Sequence, residues 1–326
     1  MLTYDQIIQK IDQLEEAKIL LAGLELKIFT VLGKGRYSAP QVAKKARTHR
    51  EGTEMLLNAL VALGALRLNK NLYSNTPVTY KHFCVSSKDY KKGTVMLRKE
   101  HRHEWDDLIN IVRNGRDLSQ YEGGDDPEFR WLFTHAMHER SFELSGKKAQ
   151  AITRKPVGRL LDLAGGPGSY SVAILRKDKK ASATLFDRSA TLRVAREIIK
   201  ETGYLKRFKF IEGDLFKTDY GNHYDTVLFS NVLHIYNPKE NKILFRKIYR
   251  CLNEGGRFIL VDYFLKDNRN EPYNAALFSL TMLLFTATGK SYTYSETEKI
   301  LRATGFVNLK RFKVGEGVGI IEAVKK

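Results

Sequence analysis

Residues 160–168 read Leu-Leu-Asp-Leu-Ala-Gly-Gly-Pro-Gly, an apolar run that ends in a turn built almost wholly of small residues. The stretch that follows, SYSVAIL (169–175), returns to a helical pattern, so the reading predicts strand, tight turn, helix. Small side chains there let the backbone approach a ligand closely, and a helix N-terminus favours an anionic group. Alone, such a turn fits a plain strand-to-helix connection equally well, and dinucleotide binders share it. Two acids sharpen it. Asp187 closes the run ATLFD (183–187), about 20 residues on, where a carboxylate accepts hydrogen bonds from ribose hydroxyls. Asp214 closes FKFIEGD (208–214), beside the place an adenine would occupy in a crevice at strand ends. Either acid alone reads as a turn cap. Three successive strand ends together read as a ligand site.

Outward from this stretch the rhythm continues. YDTVLFS (224–230) predicts a fourth strand, 238–252 a helix, and Asn253-Glu-Gly-Gly256 a turn into RFILVDYF (257–264). Continuous apolar strands alternating with helices predict a parallel sheet covered on both faces. Toward the N-terminus the texture is helical. Ile7, Ile8, Ile11 and Leu14 share one face, Ser38 and Pro40 open a short helix, and Met55, Leu56, Leu57, Leu60 and Val61 mark another over 54–63. Leu66–Leu68 and Leu72–Tyr73 around Asn69-Lys70-Asn71 predict a two-stranded wing. Helix, turn, helix and wing also describe a DNA-binding module. The apolar second helix, with few exposed basic residues, points instead to subunit packing. A helical bridge carries the loop GGDDP (123–127), and Pro156 and Gly158 mark its end, giving divisions at 1–102, 103–157 and 158–326.

The composition narrows the class. The 326 residues are 43% hydrophobic and 28% charged, enough for a sizeable core. The net charge of +18 is spread through helices and loops in no dense cluster, so it reads as solvated surface and points away from nucleic acid. Cys84 and Cys251 stand far apart with no metal-ligand spacing, which predicts neither disulfide nor metal site and suits a reducing cytoplasm. The acidic, amphipathic start is unlike a secretory leader. The apolar run from Ala275 to Ala287 is broken by Ser279 and Thr281 and falls short of the roughly 20 residues of a membrane span.

Residues 160–306 resemble class I methyltransferases. More narrowly they resemble the O-methyltransferase family of plant caffeate and hydroxyindole enzymes and bacterial polyketide tailoring enzymes. LLDLAGGPG, Phe186-Asp187, EGDLF, SNVLHIYNPKEN, LNEGGRFILVD and LRATGF carry the likeness, and LELKIFTVL and Phe133-Thr-His-Ala-Met137 extend it into the N-terminal half. The resemblance implies an α/β, Rossmann-like methyltransferase domain behind a mainly α, winged-helix dimerisation domain, and hence a homodimer. It implies S-adenosyl-L-methionine as cofactor, held by Ala164, Gly165, Gly166, Asp187, Asp214, Leu215 and Ser230. It implies His234 as the general base that takes a substrate hydroxyl proton and Asp262 as the acid that orients it. Met137, Phe278, Met282 and Phe285 would line a pocket for a small, hydrophobic, aromatic or quinol-like acceptor. The sequence departs from the family where Ala164 replaces a glycine, Ile235 follows the histidine in place of Asp, and Tyr294 falls on a second acidic position. Carbon or nitrogen methylation on the same scaffold, and a cofactor-responsive DNA-binding regulator, are the alternatives. The His234–Asp262 pair argues against the regulator, which needs no base.

Overall fold

A computed structural model describes residues 1–100, 104–118, 126–315 and 317–326. Most of the expected loop at 123–127 lies outside them. The chain divides into two compact units, Met1–Arg102 and His103–Lys326.

The first unit contains α1 (Tyr4–Glu25), α2 (Ile28–Leu32), α3 (Ala39–Ala46), α4 (Arg50–Ala62), β1 (Leu66–Asn69), β2 (Leu72–Asn75), α5 (Pro77–Phe83) and α6 (Lys92–Glu100). Ser38 caps α3 as its sequence indicates, its N–H donating to the Gln41 side chain at 2.9 Å. The hairpin closes through Lys70 and Asn71, both with positive φ, the backbone that a two-residue turn between twisted strands requires. Ile28, Phe29, Leu32, Leu57 and Leu60 fill the unit's own core. Its exposed apolar residues lie elsewhere, on α1 at Ile7, Ile8, Ile11 and Leu14, and at Met55. The largest run of exposed apolar residues in this unit therefore lies on α1, whereas Ile28, Phe29 and Leu32 are buried in the core.

The second unit begins with a 3₁₀ turn (Glu104–Asp107), α7 (Leu108–Asn114) and α8 (Pro127–Ile152). Then come β3 (Arg159–Leu163), α9 (Ser169–Lys177), β4 (Ser182–Asp187), α10 (Ser189–Glu201), β5 (Phe208–Glu212), β6 (Tyr224–Ser230), α11 (Pro238–Cys251) and β7 (Leu252–Leu265). α12 (Tyr273–Phe285), β8 (Tyr292–Thr293), α13 (Tyr294–Arg302), β9 (Phe306–Lys313) and β10 (Val318–Lys325) complete it. The main sheet runs β5-β4-β3-β6-β7-β10-β9, with β8 paired to β7. Side chains alternate across it. Leu161, Leu163, Phe229 and Phe258 pack on one face with Phe245 of α11 and Leu301 of α13. Leu160, Leu228 and Ile259 pack on the other with Ile152, Ile174 and Ile199 of α8, α9 and α10. The five strands named from the sequence, β3 to β7, pair in parallel as expected, and the sheet extends beyond them. β10 runs antiparallel to both β7 and β9. A few residues joining β9 to β10 leave no room for a crossover, so the pair closes as a hairpin. The chain leaves β3 toward β4 and β5 on one side and returns to β6 and β7 on the other. That reversal opens a crevice at the strand C-termini.

Candidate active site

The turn after β3 is held by internal contacts. Ala164, Gly166 and Gly168 all have positive φ. A Cβ on Gly168 would meet Ile199 at 2.8 Å, and one on Gly165 would collide with Leu185 and Asp162, so these two glycines serve close packing. A Cβ on Gly166 would meet nothing within 4 Å, which makes this the position where main chain faces open space. The Gly166 N–H donates to Asp187 Oδ2 and the Arg188 N–H to Oδ1, each at 2.8 Å. A carboxylate has about four acceptor positions, so these bonds orient Asp187 without exhausting it. Burial raises its pKa, and the two backbone bonds pull the other way.

Asp214 is engaged differently. Its Oδ1 accepts from the Phe216 N–H at 2.8 Å and the Lys217 N–H at 3.1 Å, capping the turn after β5. Leu215 packs against the core, and its carbonyl accepts from Lys247 Nζ at 2.8 Å. Ser230, at the end of β6, accepts from Asn231 Nδ2 at 3.2 Å. Asp187, Asp214 and Ser230 thus stand at the C-terminal ends of β4, β5 and β6, around the turn that follows β3.

Beyond β6 a 3₁₀ turn, Leu233–Ile235, carries His234 into a buried place. Its Nδ1 lies 2.6 Å from Oδ1 of Asp262, which is 0% exposed on β7. The same oxygen accepts the Tyr263 N–H at 2.7 Å, and Oδ2 has no partner among the described residues. Nε2 of His234 likewise has no hydrogen-bond partner there. The Phe278 ring stands edge-on to the imidazole, 4.8 Å between centroids, and packs on Tyr263 at 4.6 Å. Phe278 and Tyr263 also line a cavity of about 430 Å³ with Trp105, Asn274, Leu277 and Thr281. Of the four residues expected to line an acceptor pocket, Phe278 lines this cavity and Met137, Met282 and Phe285 do not. The face of α12 that borders it runs 274, 277, 278, 281, while Met282 turns inward and is buried. That spacing is visible in the sequence. Trp105 and Tyr263 arrive from other elements, with no local signal to announce them. Tyr294 stacks on Phe264 at 4.4 Å and packs with the core, so it supplies nothing to the histidine.

The reversal point of the sheet, the glycine turn and the buried histidine–carboxylate pair define a class I methyltransferase. Residues 103–307 match the O-methyltransferase domain and residues 9–82 the O-methyltransferase dimerisation domain, so the chain belongs to the O-methyltransferase family. It is an enzyme whose methyl donor is S-adenosylmethionine. The chain is similar to 3-hydroxy-5-methyl-1-naphthoate 3-O-methyltransferase of Streptomyces sahachiroi, 27% identical over 95% of this chain and 92% of that protein. It is also similar to L-tyrosine C(3)-methyltransferase of Streptomyces lavendulae, 26% identical over 88% of this chain and 82% of that one. Human N-acetylserotonin methyltransferase, solved in complex with S-adenosylmethionine, shares the fold with a TM-score of 0.86 at 23% identity, covering 99% and 97% of the two chains. The crevice suits such a donor: open main chain at Gly166 stands beside an oriented, incompletely used carboxylate at Asp187.

Proposed function

We propose that this chain transfers the methyl group to a hydroxyl of a small, flat, largely apolar acceptor, a phenol or quinol, with His234 as general base. The observation that carries the reading is the buried His234–Asp262 pair, with the outer imidazole nitrogen left unpartnered. An ionised Asp262 can only accept, so Nδ1 carries the proton and Nε2 is the basic nitrogen. The donor, when bound, supplies an electrophilic methyl on a positively charged sulfur. His234 then takes the acceptor's hydroxyl proton as the oxygen attacks, and Asp262 stabilises the imidazolium that forms. Ala164, Gly165 and Gly166 would hold the donor with Asp187 at its ribose, Asp214 and Leu215 at its adenine and Ser230 near its amino-acid part. Phe278 and its aromatic neighbours would hold the acceptor ring. Met137, Met282 and Phe285 stand as further pocket residues on the family resemblance.

The same reading takes residues 1–102 as a dimerisation domain that makes a homodimer, 103–157 as a helical bridge and 158–326 as the catalytic domain. Cys84 and Cys251, both free and buried, support a reducing cytoplasm. A second reading is favoured by relatives named as a C(3)-methyltransferase and an N,N-dimethyltransferase: a carbon or nitrogen acceptor on the same scaffold. Single-turnover methyl transfer to a panel of phenols and quinols separates them. His234→Ala is expected to slow transfer by about 10²–10⁴-fold while donor affinity stays unchanged. Full activity in that variant would remove the oxygen mechanism and favour a carbon nucleophile that reacts without this base.

A further inference from the structure

α8 carries a charged group that the methyl transfer leaves idle. Lys148 is 2% exposed, and its Nζ donates to the Tyr170 hydroxyl at 2.8 Å. Among the described residues this is its one hydrogen bond, and no carboxylate stands within ion-pair distance. An ammonium has three protons to place, and burying one without a counter-ion is costly. The consequence is visible: burial pulls this amine down to about 8, the charge of Asp262 offsetting only part of the effect.

Its location gives that deficit a meaning. Tyr170 lies in the first turn of α9, directly after the glycine turn, and the Asn231 side chain at the end of β6 acts on its hydroxyl. Asn231 in turn donates to Ser230. The ammonium is thus tied to the crevice at the ends of β3 and β6. S-adenosylmethionine carries one carboxylate, on its amino-acid part, and a buried ammonium lacking an anion is what would receive it. We propose that Lys148, with Tyr170 and Asn231 beside it, binds the carboxylate of the methyl donor. The proposal rests on the reading that the donor lies over the glycine turn.

Asp262 on β7 and the Tyr170 hydroxyl on α9 act on this amine; Asp162 on β3 and Tyr263 on β7 act in turn on Tyr170, and Arg140 of the same helix acts on Tyr263. Tyr170 is held up at about 12 and Asp162 at about 7, so above neutrality Lys148 is the member of this group that changes charge near 8. A donor carboxylate favours the protonated amine. Binding should therefore take up a proton and weaken as pH climbs through 8.

Calorimetry on the full chain tests this with two ligands. S-adenosylhomocysteine keeps the carboxylate; 5′-methylthioadenosine keeps the adenosyl group and sulfur but lacks it. Lys148→Met is expected to weaken S-adenosylhomocysteine by about 10- to 100-fold, the effect of losing a bond between charged groups, and to leave 5′-methylthioadenosine within about twofold. Proton uptake, read from binding heats in buffers of different ionisation enthalpy, should be present in the wild type near pH 8 and lost in the variant. Lys148→Arg keeps the charge and cannot titrate, so it should bind S-adenosylhomocysteine with no proton uptake from this site. Equal weakening of both ligands, or proton uptake that survives in both variants, would overturn the proposal while leaving the donor site in place. Failure of the wild type to bind either ligand would remove the donor-site reading itself, and this proposal with it.

Discussion

Ala164 sits in the left-handed region, φ 54°, where a side chain costs about 1–2 kcal/mol that glycine avoids. Glycine's greater freedom in the unfolded chain offsets about 0.4–1 kcal/mol of that. Ala164→Gly should therefore raise stability by about 0.5–1 kcal/mol, measured as a higher urea midpoint. A lower midpoint would mean that the methyl's packing against the core outweighs the strain. Two residues earlier, Asp162 is buried, bonded through Oδ2 to Ser171 at 2.6 Å and with no partner on Oδ1. Burial pushes its carboxyl up to about 7. A raised acid binds its proton in the folded chain where the unfolded chain has released it, so stability falls as pH rises from about 4 to about 7. Asp162→Asn should flatten that part of the profile of melting temperature against pH. At this scale the sequence was uneven. Asp187 and the histidine–aspartate pair were readable because their types recur at strand ends in a known pattern. Asp162, in the same quoted stretch, was not, because an orphaned oxygen and a buried amine are properties of neighbours that meet only on folding.

Among the elements, α12 depends on a residue far from it in sequence. The Arg116 guanidinium donates to the carbonyls of Leu283 at 3.0 Å and Gly289 at 2.6 Å, and it reaches Met282 at 3.4 Å. A cation satisfying carbonyls at a helix C-terminus is favourable on hydrogen-bonding and dipole grounds alike. Arg116→Met should destabilise the chain by about 1.5–3 kcal/mol, with Lys recovering only part because it lacks the planar fork. Hydrogen exchange localised to 282–289 would identify the cause; no change there would show that Arg116 does not hold this end. The strands were legible because they are buried on both faces and therefore continuously apolar, as in Leu160, Leu161 and Leu163. β9 and β10 lie beyond the last strand that the sequence reading names, and the five strands it does name pair in parallel. The α12 face that borders the cavity follows helical spacing, yet spacing could not separate it from the face that buries Met282.

Across the molecule, the first unit leaves apolar surface on α1 that its own core does not use. Ile11 is 61% and Leu14 62% exposed. Light scattering at micromolar concentration should report a dimer, and Ile11→Glu with Leu14→Glu should shift it toward monomer with little change in the melt of the second unit. A monomeric wild type would sink the dimer reading. The change of texture from helices to alternating strands falls near residue 159, whereas the compact units divide at residue 102, because α8 packs Ala149 and Ile152 into the core of the sheet that follows it. No helix among the described residues is long and apolar enough to cross a membrane.

β10 has one more consequence, in the time domain. It fills the gap between β7 and β9, with Gly319 opposite Asp262. During synthesis β7 emerges well before β10, so the strand carrying Asp262 waits on the ribosome with its hydrogen-bonding edge open. An open, apolar edge of that kind is where nascent chains pair with one another. For this sequence the hazardous interval of translation is the stretch between residues 265 and 318, and slow codons placed there would lengthen it.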